Sequence, residues 1–136
     1  MQKKIIVMED DIFLREFYSF VFKKMNIVAD ILEDGELFFQ KLENEKYDLI
    51  VMDLSLRNTY VKDEKVDGVT LSRMVKQNNN LKHIPIIVVT AHLVNYHSKH
   101  LFVDSMAEDY VIKPIGDVNV FIKKIENTIE LFKQKL

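Results

Sequence analysis

Tyr47-Asp48-Leu49-Ile50-Val51-Met52-Asp53 is a short apolar run that ends on a carboxylate. Its length, its aliphatic and β-branched content and the polar stretch after it mark a buried strand of a parallel sheet rather than a helix. Asp53 then stands at the carboxyl end of that strand, the edge at which open α/β sheets bind ligands. The same outline recurs at Lys4-Ile5-Ile6-Val7-Met8 before Glu9-Asp10-Asp11, and at Ile84-Pro85-Ile86-Ile87-Val88-Val89 before Thr90. Three strands thus deliver carboxylates and a hydroxyl to one edge.

Between the strands the period changes to that of helices. Residues 11–25 carry Ile12, Phe13, Phe17, Phe20 and Val21 at helical spacing, with Asp11 as the N-cap. The Phe-rich face of this helix reads as core rather than a cofactor pocket. Residues 27–32 are a second apolar run, and Glu33-Asp34-Gly35 turns into a helix over about residues 36–43 with Leu37, Phe38 and Leu42 inward. Residues 54–66 follow neither period and read as a long loop over the sheet edge. Asp67-Gly68 opens a helix with Val69, Leu71, Met74 and Val75 apolar, and residues 93–106 give a mixed helix with Leu93, Val94, Leu101, Phe102 and Met106 inward. Asp109-Tyr110-Val111-Ile112 is a brief fifth strand leading into Lys113-Pro114. Asp117 caps a last helix with one stripe of Val118, Phe121, Ile122, Ile125, Ile129 and Phe132. Five strand–helix alternations with right-handed crossovers predict an α/β fold, a five-stranded parallel sheet doubly wound as (βα)5 into a three-layer sandwich.

Composition bounds the function. The 136 residues suit one domain, 1–136, able to bury roughly two thirds of its unfolded surface. Hydrophobic residues at 48% and charged residues at 29% argue against disorder. Absence of cysteine excludes disulfides and thiolate metal sites and fits a reducing, cytoplasmic setting. The apolar stretch after Met1 meets Glu9 too soon for a signal peptide, and no segment is long enough to span a bilayer. A net charge of -2 gives no broad attraction to nucleic acid.

Chemistry concentrates at the strand ends. Two carboxylates about 4 Å apart repel by about 4 kcal/mol at an effective dielectric of about 20, equivalent to about three pKa units. Glu9, Asp10 and Asp53 therefore keep a proton or bind a cation. With oxygen ligands alone, a hard ion such as Mg2+ suits better than zinc, and it favours a phosphate ligand. Lys113 supplies a point positive charge to that phosphate and Thr90 a hydroxyl, a site for phosphoryl transfer to a carboxylate. His83, His92, His97 and His100 lack a ligand pattern and read as exposed polar residues.

These residues resemble the receiver domains of two-component response regulators, the CheY-like superfamily, over essentially the whole chain. The acidic pair matches Glu9-Asp10, the phospho-acceptor Asp53, the switch hydroxyl Thr90 before the small Ala91, and the lysine Lys113 before Pro114. An aromatic, Tyr110, stands three residues before that lysine. The resemblance implies a flavodoxin-like fold and a stand-alone phospho-acceptor that catalyses only its own phosphorylation and dephosphorylation. It implies Mg2+ held by Asp10, Asp53 and the Ser55 backbone carbonyl, with Glu9 acting through water. The implied donor is a sensor histidine kinase, a phosphotransfer protein or a small phosphodonor. Thr90 and Lys113 would bond the phosphoryl oxygens. Tyr110 would turn inward, altering a partner-binding face made by the fourth helix, fifth strand and fifth helix; a phosphorylation-dependent dimer stays open. One departure stands out: thirteen residues and no proline separate Asp53 from Asp67-Gly68. Tyr60, Asp63 and Glu64 in that loop are candidates to cover the site or form a docking surface. The main alternative is a degenerate receiver acting as a phosphorylation-independent adaptor. A haloacid-dehalogenase-like phosphatase ranks low because Ser55 stands where its second acid is needed, and no phosphate loop for a flavin follows the first strand.

Overall fold

The structure is a computed structural model that describes residues 2–91 and 98–134. Strands β1 (Lys4–Met8), β2 (Val28–Leu32), β3 (Leu49–Asp53), β6 (Ile86–Thr90) and β7 (Asp109–Ile112) form one parallel sheet in the order β2-β1-β3-β6-β7. Helices α1 (Ile12–Lys24), α2 (Gly35–Asn44), α3 (Gly68–Lys76), α4 (Lys99–Ser105) and α5 (Val118–Gln134) alternate with them. The predicted doubly wound sandwich is the observed architecture. Its order reverses between β1 and β3, so the crevice at their carboxyl ends is the ligand position of such sheets.

The central strands are buried on both sides, as continuous apolar runs in parallel sheets require. β3 and β6 have no exposed residue. Odd positions Ile5, Val7, Leu49, Val51, Ile87 and Val89 pack with α1 and α5, while even positions Ile6, Met8, Ile50, Met52, Ile86 and Val88 pack with α2 and α3. Aspartates start the helices: Asp11 accepts from the amides of Phe13 and Leu14, Asp34 from Glu36 and Leu37, Asp67 from Thr70, and Asp117 from Val120. The Asp11 cap and the α5 stripe are as expected from sequence. Phe121, Ile122, Ile125 and Ile129 are buried.

Several inner faces are corrected. In α1 the residues turned to the sheet are Tyr18, Val21 and Phe22, whereas Ile12, Phe13 and Phe20 are exposed, Phe13 by 79%. The helix carries two apolar stripes of similar spacing, and only one of them meets the sheet. Leu37 and Met106, expected inward, are also exposed, as is the apolar Met74. Leu101 and Phe102 are partly buried against the core, and Leu93 and Val94 lie outside the described residues.

The stretch 54–66 is more ordered than a plain loop. It contains a two-stranded antiparallel hairpin, β4 (Tyr60–Val61) with β5 (Glu64–Lys65), turned by Lys62 and Asp63 at φ 50° and 67°. Positive φ at both central residues is the turn geometry that suits the twist of paired strands. Sequence alternation misses it because each strand is only two residues long. The hairpin folds back on α2. The Lys62 amide donates to Glu36 Oε1, Thr59 Oγ1 donates to the Glu33 carbonyl at 3.1 Å, and a Cβ on Gly35 would meet the Tyr60 carbonyl oxygen at 2.5 Å.

A second close approach fixes the end of β3. A Cβ on Gly68 would lie 1.9 Å from the Asp53 carbonyl oxygen. Only glycine lets α3 start there. Gly68→Ala is expected to lower stability by about 1–3 kcal/mol through this overpacking, read as a reduced urea midpoint at unchanged slope.

Candidate functional site

Strand register aligns the chemistry. Met8 pairs with Met52, Asp53 with Val89 and Thr90 with Ile112, so Glu9, Asp53, Thr90 and Lys113 fall within one residue of the same sheet edge. The two-residue period of a strand then sorts them by face. Glu9 continues the series of Ile5 and Val7, Asp53 that of Leu49 and Val51, and Lys113 that of Val111, all toward the α1–α5 side. Thr90 and Tyr110 continue the opposite series.

The first three meet. Lys113 Nζ lies 3.0 Å from Asp53 Oδ1 and 3.4 Å from Glu9 Oε1, and the Ser55 amide donates to Asp53 Oδ1 at 2.9 Å. Glu9 and Asp53 are buried. Asp10, half-buried, accepts at Oδ2 from the amides of Arg57 at 2.7 Å and Asn58 at 3.2 Å. Oxygens of Glu9, Asp10 and Asp53 all lie within 4.8 Å of one another. Ser55 and Ala91 border the same cleft.

Electrostatics follow from burial. Desolvation, then the hydrogen bond and negative charge of Asp53, push the Glu9 carboxyl up to about 8 against the opposing pull of Lys113. Near neutral pH the cluster thus keeps a proton, one of the two outcomes that the repulsion predicts. Binding a cation is the other, and the donors fit one. They are all oxygens, and buried Glu9 Oε1 lies near the lysine with no hydrogen-bonded partner among the described residues. Such a set suits a hard ion of the Mg2+ kind.

Thr90 is buried at the end of β6, where its carbonyl accepts from the Lys113 amide at 2.7 Å. Thr90 and Tyr110 border one small void on the far face, with Leu54 and Phe102. The half-buried Tyr110 ring meets Phe102 edge-on at 5.3 Å, and Lys124 Nζ lies 5.5 Å from its centre. His83 and His100 are exposed, as expected, and His92 and His97 lie outside the described residues. Tyr60, Asp63 and Glu64 do not line the cleft; Arg57 and Asn58 do. Sequence reading missed those two because half of their contribution is a main-chain amide. It also missed Tyr18, whose buried hydroxyl has no partner among the described residues and is pushed well above its usual pKa by burial and by the charges of Glu9 and Asp53.

The sequence matches the family profile of the response regulator receiver domain over residues 5–126. The chain belongs to that family. It is 31% identical over 132 residues to the response regulator ArlR of Staphylococcus saprophyticus, covering 97% of this chain and 54% of the relative. It is 29% identical over 133 residues to the alkaline phosphatase synthesis transcriptional regulatory protein PhoP of Bacillus subtilis, covering 96% and 51%. The chain thus spans about half the length of these curated relatives. Among solved structures, a CheY-like receiver domain protein from Methanospirillum hungatei matches at TM-score 0.81 and 17% identity over 100% of both chains. The receiver domain of a sensor histidine kinase from Pseudomonas aeruginosa, described with a magnesium ion coordinated in its active-site cleft, matches at TM-score 0.80 and 20% identity, covering 96% and 99%. These two likenesses bear on fold. Among the described residues of this receiver domain, no helix is long and apolar enough to cross a membrane.

The raised Glu9 pKa makes the cation-free receiver sensitive to pH. Between the unfolded carboxyl value of 4.5 and the folded value of about 8, the folded state holds a proton that the unfolded chain has lost. Stability therefore falls as pH rises through that window and levels above it. Thermal melts in chelator are expected to drop by roughly 5 °C or more from pH 5 to 8. Glu9→Gln should flatten the profile.

Proposed function

We propose that the domain accepts a phosphoryl group on Asp53 from a sensor histidine kinase or phosphotransfer protein, and so switches a protein-interaction surface in the cytoplasm. The observation that carries this is Lys113 Nζ at 3.0 Å from Asp53 Oδ1, at the switch-point edge of the sheet, within a cluster of three carboxylates. A carboxylate oxygen of Asp53 forms the new O–P bond. The P–N bond of the phosphohistidine breaks, and its electron pair leaves with the imidazole nitrogen. The lysine ammonium neutralises charge that gathers on the transferring oxygens. Glu9, Asp10 and Asp53, with the Ser55 carbonyl, are the groups assigned to hold Mg2+, which when bound offsets the negative charge of donor and acceptor together. The ammonium sits between Glu9 and Asp53, so the acceptor is held against its neighbour's repulsion before any donor arrives.

The readout runs through the far face of the sheet. Thr90 turns toward the phosphoryl oxygens, and Tyr110, across the shared void, moves with it. The face formed by α4, β7 and α5 changes for a downstream partner, as a shift between two populations rather than a new fold. The domain catalyses only its own modification. A phosphorylation-independent adaptor is the second reading, and retention of Glu9, Asp10, Asp53, Thr90 and Lys113 ranks it below the first.

Intact mass after incubation with acetyl phosphate and Mg2+ tests the reading. One added phosphoryl group is expected, absent in Asp53→Asn and in chelator. Beryllofluoride, a mimic that is not hydrolysed, covers the case of a short-lived product. No labelling together with no Mg2+-dependent beryllofluoride binding would favour the adaptor.

A further inference from the structure

The extended segment after Asp53 has two parts with different destinations. Its distal hairpin seats on α2, as described above. Its proximal part stays at the cleft, where buried Leu54, Leu56 and Thr59 alternate with exposed Ser55, Arg57 and Asn58. Arg57 is therefore pinned on both sides. Leu56 is in the core before it, Thr59 is bonded to the Glu33 carbonyl after it, and its own amide lies 2.7 Å from Asp10 Oδ2.

The charge census of the cleft gives this position its meaning. Four carboxylates border the cleft, those of Glu9, Asp10, Asp11 and Asp53, and among the described residues the cations are Lys113 and Arg57. Lys113 is already engaged by Glu9 and Asp53. Arg57 is exposed and its guanidinium makes no ion pair among the described residues, although four acids line the same opening. A planar fork of donors held at the mouth of an acidic cleft matches a tetrahedral oxyanion better than a point charge does.

We propose that Arg57 is an anion-recognition residue of this receiver, holding the phosphoryl oxyanion of a small phosphodonor as it approaches Asp53. This rests on the phospho-acceptor reading above. Arg57 takes no part in bond making: with acetyl phosphate the Asp53 oxygen forms the O–P bond, the acyl O–P bond breaks, and acetate leaves with the electron pair. Arg57 lowers the repulsion that a donor dianion meets from the ionised carboxylates of the cleft.

The test compares wild type, Arg57→Ala and Arg57→Lys in three measurements at fixed Mg2+. These are the second-order rate of labelling by acetyl phosphate, the half-saturating concentration of beryllofluoride, and the affinity for Mg2+ alone by calorimetry. Arg57→Ala is expected to slow labelling about tenfold and raise the beryllofluoride midpoint by a similar factor, as for one exposed charge-assisted contact. Mg2+ affinity should stay within about twofold, since the Asp10 contact is made by the backbone; Arg57→Lys should recover part of the rate. Raising the salt concentration should slow wild type more than Arg57→Ala. A labelled wild type with an equally fast Arg57→Ala would overturn the assignment, and so would a loss of rate matched by an equal loss of Mg2+ affinity. A wild type that neither labels nor binds beryllofluoride would overturn the phospho-acceptor reading instead.

Discussion

The rest of the structure depends on one electrostatic constraint: Glu9 and Asp53, buried side by side at the end of a parallel sheet, with the Lys113 ammonium within 3.4 Å of both. Taking a carboxylate out of water is costly, and two of them beside each other cost more than either alone. The fold meets that cost in two ways. One carboxyl keeps its proton near neutral pH, and the lysine reaches in from the far edge strand to the other. Neither remedy is complete, since Glu9 Oε1 has no hydrogen-bonded partner among the described residues. A cluster left short of positive charge in this manner is a poor stabiliser of a fold and a good receptor for a cation and an anion together.

The sheet makes this arrangement enforceable. The central strands β1, β3 and β6 carry buried apolar runs on both faces, so sliding one of them by a single residue would carry its core residues to the wrong helices. The same slip would move Asp53 or Glu9 to the face that Thr90 and Tyr110 occupy. Core packing and site geometry are thus specified by one register. The division between faces also sets the charged cluster, on the α1–α5 side, apart from the Thr90–Tyr110 void, on the other. β6 is the shared element, and its end is tied to Lys113 through the Thr90 carbonyl.

Much of this was legible in the residues. The five strands, the order of helices, the Asp11 cap and the meeting of Glu9, Asp10, Asp53 and Lys113 followed from apolar runs that end on charged side chains. The errors have a common physical origin. Phe13 and Phe20 satisfy helical spacing as well as Phe22 does, and period alone does not say which of two apolar stripes meets a sheet. Leu37 and Met106 differ from expectation for the same reason, at the margins of a stripe. The hairpin of β4 and β5 was hidden because two-residue strands have no period to detect, and its turn uses Lys62 and Asp63 rather than glycine. Arg57 and Asn58 were hidden because a backbone amide carries no signature in sequence.

The length of the segment after Asp53 bears on how the cleft works. Loop closure entropy grows only slowly with length, so thirteen residues cost little more than half as many would, provided that the ends are held. Here they are held at more than the ends. Leu54 and Leu56 enter the core, Thr59 is tied to the turn before α2, and the hairpin lies against the start of that helix. The insertion is therefore a rigid extension of the cleft wall rather than a slack flap. Rigidity matters at Asp10, where one carboxylate oxygen accepts two amides from this wall at 2.7 and 3.2 Å. That oxygen is held in place without spending a side chain, and the side chains of Arg57 and Asn58 stay at the opening. In a cleft where acids outnumber bases, a wall that orients an acid through its backbone and offers a cation through its side chain corrects geometry and charge with the same few residues.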